Sequence, residues 1–334
     1  MGEFMNVLSL FDGMSCGQIA FDKLGIKFDG VKNKYFASEI KKSAIKVTKY
    51  NYPNTIHIGD VTKVSYSNGV LYTENGEYEV GEIDYLIGGS PCQDFSSAKV
   101  NNIMFKSSLA AGYKYGLEGD KSKLFYEYLR LLKEINPKYF LLENVRMKED
   151  SKKQLDNYLG VEGRYINSID FSFQNRPRFY WTNINILPYE AKNISFQDYK
   201  DTDEEYCNKF KVKPTPSRLR MWNNGEGKKE RGSCANITNS EKVFCLTRKQ
   251  DRSPNSGLIQ YKDFCRYLTQ RELELAQTVP VGYTNCLSYN QAQDVLGDGW
   301  TVDVIVHILK SSLNTEPIKI KLGNIECEQL KWII

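Results

Sequence analysis

The sequence predicts a doubly wound α/β fold, a largely parallel sheet joined to a second, smaller domain of irregular structure. Three observations predict it. Short apolar runs of strand length alternate with segments of helical period over the first 180 residues. Several of those runs stop at a glycine turn or an acidic residue, where open α/β sheets place reacting and ligand-binding groups. From about 186 to 265 the periodicity fades while Pro, Gly, Asn and charged residues rise. The first strand is Val7-Leu8-Ser9-Leu10-Phe11, followed by the turn Asp12-Gly13-Met14-Ser15-Cys16-Gly17 and a helix through Leu24. Tyr35–Ser38 is a second strand ending at Glu39, a helix runs on to Tyr50, and His57-Ile58-Gly59-Asp60-Val61 follows. Residues 64–82 are polar and read as a hairpin excursion. Ile83–Ile87 is a buried strand stopped by Gly88-Gly89, and it leads into Ser90-Pro91-Cys92-Gln93-Asp94-Phe95-Ser96. A loop of about 25 residues comes next, a length that a compact domain reserves for a lid or binding loop.

Lys121–Ile135 spaces Leu124, Phe125, Tyr128, Leu131, Leu132 and Ile135 as one face of a helix. Tyr139–Leu142 is a further buried strand ending at Glu143-Asn144. Ile166–Phe173 and Arg178–Trp181 read as strands of a hairpin about Asn175-Arg176-Pro177, and helical regularity returns at Leu268–Gln277. The loss of periodicity sets apart a small domain at 186–265 from a larger one, 5–185 and 266–334. Met1-Gly2-Glu3-Phe4 ahead of Met5 reads as a cloning remnant outside the fold.

With 41% hydrophobic and 26% charged residues, the composition is that of a soluble globular protein. No apolar run approaches the ~20 residues that span a bilayer. The net charge of +4 is mild, but Lys209–Arg231 holds eight Lys or Arg against two Glu, broken by Pro214, Pro216 and Trp222. Such a run is either a solvated face or a contact for a polyanion. Eight cysteines form no CxxC pair and only two histidines are present, so no metal-ligand spacing exists. Scattered cysteines fit a reducing cytoplasm.

The chemistry-bearing residues gather at predicted strand ends: the turn after Phe11, Glu39, Asp60, Cys92 and Glu143. A strand, a glycine turn and a helix, with an acid 20–30 residues on, is how such folds hold a nucleoside. The turn has only Gly13 and Gly17, so a dinucleotide with its pyrophosphate fits poorly.

Nine blocks then appear in one order. They are Leu10-Phe11-Asp12-Gly13 with Gly17, Glu39, Gly59-Asp60-Val61, Gly89-Ser90-Pro91-Cys92-Gln93, Leu124-Phe125, Glu143-Asn144-Val145, Gln174-x-Arg176-x-Arg178, Arg266-x-Leu268-Thr269-x-Arg271-Glu272 and Gly297-x-Gly299-Trp300-Thr301-Val302. The set resembles the cytosine-5 DNA methyltransferases, a family with a Rossmann-like methyltransferase sheet and a target-recognition domain. The Phe-Asp-Gly motif and the late Gly-x-x-Trp are closest in form to the catalytic domain of the animal de novo enzymes. The bare chain points instead to a bacterial or phage source.

The resemblance makes the larger domain the catalytic one and implies S-adenosylmethionine as methyl donor, with S-adenosylhomocysteine as product and no metal. It makes Cys92 the nucleophile on carbon 6 of the cytosine and Glu143 the acid at the ring nitrogen and amino group. Arg178 becomes the contact to the base carbonyl, and Arg176 a loop-positioning partner. It places Phe11 on the adenine, Glu39 at the ribose, Asp60 at the adenine amino group, and Asp12, Gly13, Met14, Cys16 and Gly17 around the methionine tail. Ile40, Val61, Pro91, Leu124, Asp298 and Trp300 complete the donor pocket.

A flipped-out cytosine in double-stranded DNA is the implied substrate. Gln93, Ser96 and Lys99 would contact it from the 93–119 loop, and Arg218, Arg220, Arg248, Lys249 and Arg252 from the small domain. The enzyme is expected to act as a monomer in the cytoplasm of a bacterial cell or phage-infected host, with room for a cognate restriction endonuclease. Asp298 departs from the family, which has Asn or Arg there; its charge would weaken donor binding unless the side chain turns to solvent. An RNA methyltransferase on the same scaffold and a catalytically silent DNA-binding homologue are the rival readings.

Overall fold

The computed structural model describes residues 4–91, 123–223, 236–248, 250 and 256–323, with backbone alone at 217, 220, 221 and 223. Cys92, Gln93, Ser96, Lys99, Lys249 and Arg252 lie outside the described residues, as do the 93–119 loop and the side chain of Arg220. The chain forms two compact units. The first comprises Met1–Ile166, Pro177–Leu187 and Val306–Ile334, and the second Asn167–Arg176 and Pro188–Ile305. None of the helices among the described residues is long and apolar enough to cross a membrane.

In chain order the strands up to residue 182 are β1 (Asn6–Leu10), β2 (Lys34–Ser38), β3 (Ile56–His57), β4 (Ser65–Ser67), β5 (Val70–Thr73), β6 (Gly76–Glu79), β7 (Tyr85–Gly88), β8 (Tyr139–Val145), β9 (Arg164–Asn167), β10 (Gln174–Asn175) and β11 (Pro177–Thr182). The helices among them are α1 (Cys16–Lys23), α2 (Lys42–Asn51), α3 (Leu124–Ile135) and α4 (Glu149–Leu159). Seven strands make one sheet in the order β3-β2-β1-β7-β8-β11-β9. The chain steps outward from β1 through β2 to β3, then returns to lay β7 and β8 on the other side. The carboxyl end of β1 is therefore the topological switch point, the place where open α/β sheets open a crevice for ligands.

Strands β3, β2, β1, β7 and β8 are parallel, which explains why they read as apolar runs rather than alternating ones. Val7, Leu8, Ser9 and Leu10 are all buried. Leu8, Leu10, Phe36, Leu86, Phe140 and Leu142 from the sheet pack with Phe125, Leu129 and Leu132 of α3 and with Trp181 in one core. The sheet is mixed rather than wholly parallel, because β11 runs antiparallel to β8. Where the sequence suggests a simple hairpin about Asn175–Pro177, β9 and β11 are sheet neighbours, and residues 168–176 between them leave the sheet.

The polar stretch after Asp60 is a three-stranded antiparallel meander, β4-β5-β6, one strand more than the expected hairpin. Its first turn is Asn68-Gly69, both at positive φ, the chemistry of a two-residue hairpin turn. The polar side of α3 holds it: Arg130 Nη2 donates to the Val64 carbonyl at 2.7 Å, and the Tyr66 N–H donates to Glu134 Oε2 at 3.0 Å.

The second unit contains α5 (Glu204–Asn208), β12 (Lys211–Val212), α6 (Pro216–Asn223), β13 (Val243–Phe244), β14 (Ile259–Tyr261), β15 (Phe264–Arg266), α7 (Gln270–Ala276) and α8 (Tyr289–Asp298); α9 (Val302–Ser312) spans its last boundary. Its sheets are small, β12-β15-β14 and the pair β10-β13. This unit is wider than the 186–265 segment read from the sequence. It takes in 167–176 because β10 pairs with β13, and it runs on to Ile305 because Gln174 and Gln277 are joined side chain to side chain at 3.0 Å. Inside it Arg266 makes a two-pronged ion pair with Glu272, both fully buried, at 2.8 Å on each arm. Glu272 also closes the capping box of α7 with Thr269.

Candidate active site

In the first unit the predicted residues stand at the carboxyl ends of neighbouring strands. The turn after β1 is tightly constrained: Phe11, Gly13 and Ser15 all have positive φ, near +55° to +60°. Only the glycine takes that conformation without strain. The turn is pinned to the end of β2. The Asp12 N–H donates to the Ser38 carbonyl at 3.0 Å, and the Gly13 N–H to Glu39 Oε2 at 2.8 Å. The other Glu39 oxygen accepts the N–H groups of Ile40 and Lys41, each at 2.8 Å. Glu39 thus organises the turn that the resemblance makes a donor cradle, a role not visible in the sequence.

Asp12 is buried, and its carboxylate accepts the hydroxyls of Ser15 and, at 2.9 Å, Tyr35. Burial pushes the carboxyl up to about 6; the hydrogen bonds from Ser15, Ser9 and Tyr35 pull the other way, and Glu39 adds to the rise. Burial, reinforced by the neighbouring Asp12, likewise holds the Tyr35 hydroxyl well above its ordinary range. Met14, Cys16 and Gly17 are buried. A Cβ on Gly17 would overlap Ile87 Cδ1 and stand 2.8 Å from the Tyr35 hydroxyl, so a larger residue here would require those two side-chain ends to move.

After β3, Asp60 caps a single 3-10 turn, its Oδ1 accepting the Thr62 N–H at 3.0 Å. Among the described residues its Oδ2 accepts nothing. Val61 is buried in the core, and Phe11 and Leu124 pack on that same core half-buried. Ile40, beside Glu39, is an apolar side chain 71% exposed among the described residues.

These residues fit an adenosine-bearing donor. Among the described residues, a Cβ on Gly13 would meet nothing within 4 Å, Ile40 offers exposed apolar surface, and Asp60 keeps a carboxylate oxygen for an amino group. Phe11, Glu39, Asp60 and the Asp12–Gly17 turn are the residues that would hold it.

At the other side of the switch point, Glu143 lies near the end of β8, 8% exposed. In the antiparallel ladder Tyr180 stands opposite Glu143 and Arg178 opposite Val145, so Arg178 is the diagonal neighbour of Glu143. Arg178 Nε donates to Glu143 Oε1 at 2.8 Å. A buried carboxylate thus meets the guanidinium two residues from the β10–β11 connection. Next to it Asn144, buried, donates to Ser90 Oγ at 3.1 Å and to the Ser90 carbonyl at 3.3 Å. It ties the end of β8 to the segment that runs through half-buried Pro91 toward Cys92. Asn144 and Ser90 were each legible only as part of a motif, with nothing to join them.

Arg176, Asp298 and Trp300 belong to the second unit. Arg176 is 3% exposed and donates to the carbonyls of Leu246 (3.3 Å), Gly297 (3.2 Å) and Gly299 (2.7 Å) and to Cys245 Sγ (3.4 Å). It laces two distant loops of its own unit together. Trp300 is buried, and Gln277, which the sequence did not single out, holds the same stretch through Thr301 and the Gly299 carbonyl. Asp298 is bound by Arg248, whose Nε and Nη2 reach its two carboxylate oxygens at 3.0 and 2.8 Å. Arg218 donates to the Lys213 carbonyl at 3.1 Å.

The doubly wound sheet, with acids at the strand ends about its switch point, is the architecture of methyltransferase structures to which the chain is similar. The chain superposes on the Dnmt2 methyltransferase of S. pombe with a TM-score of 0.63 at 15% identity, over 93% of this chain and 98% of that one. The Entamoeba histolytica methyltransferase EhMeth gives 0.65 at 16%, over 94% and 99%. A family model of C-5 cytosine-specific DNA methylases matches residues 5–180, just over half of the 334, and the chain belongs to that family. Type II methyltransferase M.NgoBV of Neisseria gonorrhoeae is 31% identical over 193 residues, 52% of this chain and 40% of that protein. Type II methyltransferase M1.ScrFI of Lactococcus lactis subsp. cremoris is 28% identical over 92% of this chain and 77% of its own length. The chain thus matches about two fifths of the length of the Neisseria relative and most of the Lactococcus one.

Proposed function

We propose that this protein transfers a methyl group from S-adenosylmethionine to carbon 5 of a cytosine flipped out of double-stranded DNA, at a defined sequence. The observation that carries the reading is the 2.8 Å pair of Glu143 and Arg178, one residue from the Asn144 clamp on Ser90. A carboxyl and a guanidinium on adjacent strands can meet the ring nitrogen, amino group and carbonyl of one pyrimidine edge. The clamp fixes the base of the segment bearing Cys92.

Cys92, as thiolate, adds to carbon 6 and drives charge into the ring. Glu143 places a proton or hydrogen bond at the ring nitrogen, and Arg178 meets the developing charge at the carbonyl. When bound, S-adenosylmethionine supplies an electrophilic methyl group and leaves as S-adenosylhomocysteine. Loss of the carbon 5 proton and expulsion of the Cys92 sulfur then restore the aromatic ring. Phe11, Glu39 and Asp60 bind the adenosine, and the second unit, with Arg218 and Arg248, reads the DNA. The enzyme acts as a monomer in a bacterial or phage-infected cytoplasm, with or without a cognate restriction endonuclease.

The test is a duplex carrying 5-fluorocytosine, whose fluorine cannot leave as the proton does. With donor present the wild type should form a denaturation-resistant adduct and Cys92→Ala none. Glu143→Gln should keep donor affinity and lose most of its rate. Turnover by the Ala variant would end the mechanism, and methylation of RNA but not DNA would move the substrate.

A further inference from the structure

The meander β4-β5-β6 is absent from the chemistry described so far, yet its tip reaches the strand-end edge. Glu74, in the turn between β5 and β6, lies against the Gly59-Asp60 corner. Its Oε1 accepts the Asp60 backbone N–H at 2.8 Å, and its Oε2 is paired with Lys63 Nζ at 2.7 Å. The next residue, Asn75, donates from Nδ2 to the His57 carbonyl at 2.9 Å. The turn therefore grips β3 and the segment after it at three points.

Gly59 shows how close the approach is. It has φ +80°, and a Cβ there would overlap Glu74 Oε1. The corner and the carboxylate are built around each other. At its other end the meander is fixed by Arg130 and Glu134 of α3, so the tip does not hang from a free ribbon.

We infer that Glu74 is a positioning residue for adenine recognition, holding the Asp60 backbone so that its side chain is presented to the donor. This rests on the donor site proposed above. Asp60 spends Oδ1 on the Thr62 N–H, and its backbone N–H is held by Glu74, leaving Oδ2 as the acceptor. A carboxylate on the peptide N–H fixes the corner more firmly than water would, because charge-assisted hydrogen bonds are the stronger kind. The contact also withdraws that N–H from the ligand, so purine recognition at this corner rests on the Asp60 side chain. Lys63 on the second oxygen, with the Asp60 N–H, holds Glu74 below the ordinary carboxylate range, which keeps it an acceptor across the working pH.

The experiment compares wild type, Glu74→Ala and Glu74→Gln by calorimetry with S-adenosylhomocysteine and with its inosine counterpart, which carries an oxo group in place of the adenine amino group. Steady-state kinetics and Tm are measured alongside. Glu74→Ala should weaken S-adenosylhomocysteine about five- to tenfold, the scale of one lost hydrogen bond. It should also narrow the preference over the inosine analogue and raise KM for the donor with kcat within about twofold. Glu74→Gln keeps an oxygen for the Asp60 N–H and should restore most of the affinity.

Equal weakening of both analogues, or a loss confined to kcat, would overturn the inference. So would unchanged binding by Glu74→Ala. Should the Ala variant not fold, a Gln variant with the Ala phenotype expected here would also overturn it, and wild-type-like selectivity in Gln would uphold it. If wild type itself binds neither analogue, the donor site fails first, and that outcome is distinct from a wild type that binds while Glu74 variants match it.

Discussion

The substitution Asp12→Asn tests whether the turn after β1 holds a carboxyl against its solvation preference. Burial lifts this group from 3.8 to about 6. At ~1.36 kcal/mol per pKa unit, the shift amounts to about 3 kcal/mol between its neutral and ionised forms. The sign follows from linkage. The native pKa lies above the unfolded one, so between about pH 4 and 6 the native state binds more protons. Its stability then falls as pH rises through that window and levels off above it.

The asparagine side chain is isosteric with aspartate, keeps an acceptor for Ser15 or Tyr35, and does not titrate. The stability difference, variant minus wild type, should therefore grow by about 2.5 kcal/mol from pH 4 to pH 7.5, the unfolded carboxyl being already part-ionised at pH 4. His57 and His307, both shifted down by burial, are common to the two proteins and cancel in the difference. Urea unfolding across that range reads the difference directly. Parallel stability profiles would refute the reasoning and place the Asp12 carboxyl in contact with water.

Asn144→Ala removes the clamp on Ser90 and should lower kcat about 10- to 100-fold with donor affinity within twofold, since it misplaces a reacting group rather than a binding one; a calorimetric loss of donor binding would contradict this. Arg176→Lys cannot span the Leu246, Gly297 and Gly299 carbonyls and should cost about 2–4 kcal/mol of stability. Thermal unfolding checks it, and an unchanged Tm would show the lacing to be dispensable. Asp298→Asn should leave the donor dissociation constant unchanged, because Arg248 already pairs with the carboxylate, and should cost at most about 1 kcal/mol of stability at so exposed a pair. A tenfold tightening would mean that the carboxylate faces the donor after all.

The parallel strands were legible because burial on both faces writes them as unbroken apolar runs, and their ends were legible because glycine and acids stop them. Six of the helix-face positions on Lys121–Ile135 were read; Leu124 proved half-buried and the other five buried. What escaped were partners far apart in sequence. Glu74 meets the Asp60 N–H 14 residues away, Asn144 meets Ser90 across 54, and Arg176 meets Gly297 across 121. No local period encodes such pairs. The width of the second unit escaped for the same reason, being set by β10 finding β13 and by Gln174 finding Gln277. Asp298 kept two readings in the sequence, against the donor or toward solvent, because Arg248, which pairs with it, stands 50 residues earlier.

The turn after β1 concentrates costs that a strand-to-helix connection does not require. Phe11 and Ser15 hold left-handed backbone without being glycine, and Asp12 keeps a carboxyl out of water. Each is offset by a contact made elsewhere: the Ser38 carbonyl, the Glu39 carboxylate, the Tyr35 hydroxyl. Those contacts come from β2 and the residue that follows it, the neighbouring strand across which a nucleoside would lie. A turn selected only to connect β1 to α1 would relax to ordinary dihedrals and an exposed acid. One that must keep a fixed shape against a ligand has to be held by its neighbours, and Glu39 does that holding by taking the Gly13 N–H. The strain and the expected donor contacts therefore fall on the same few residues for one physical reason.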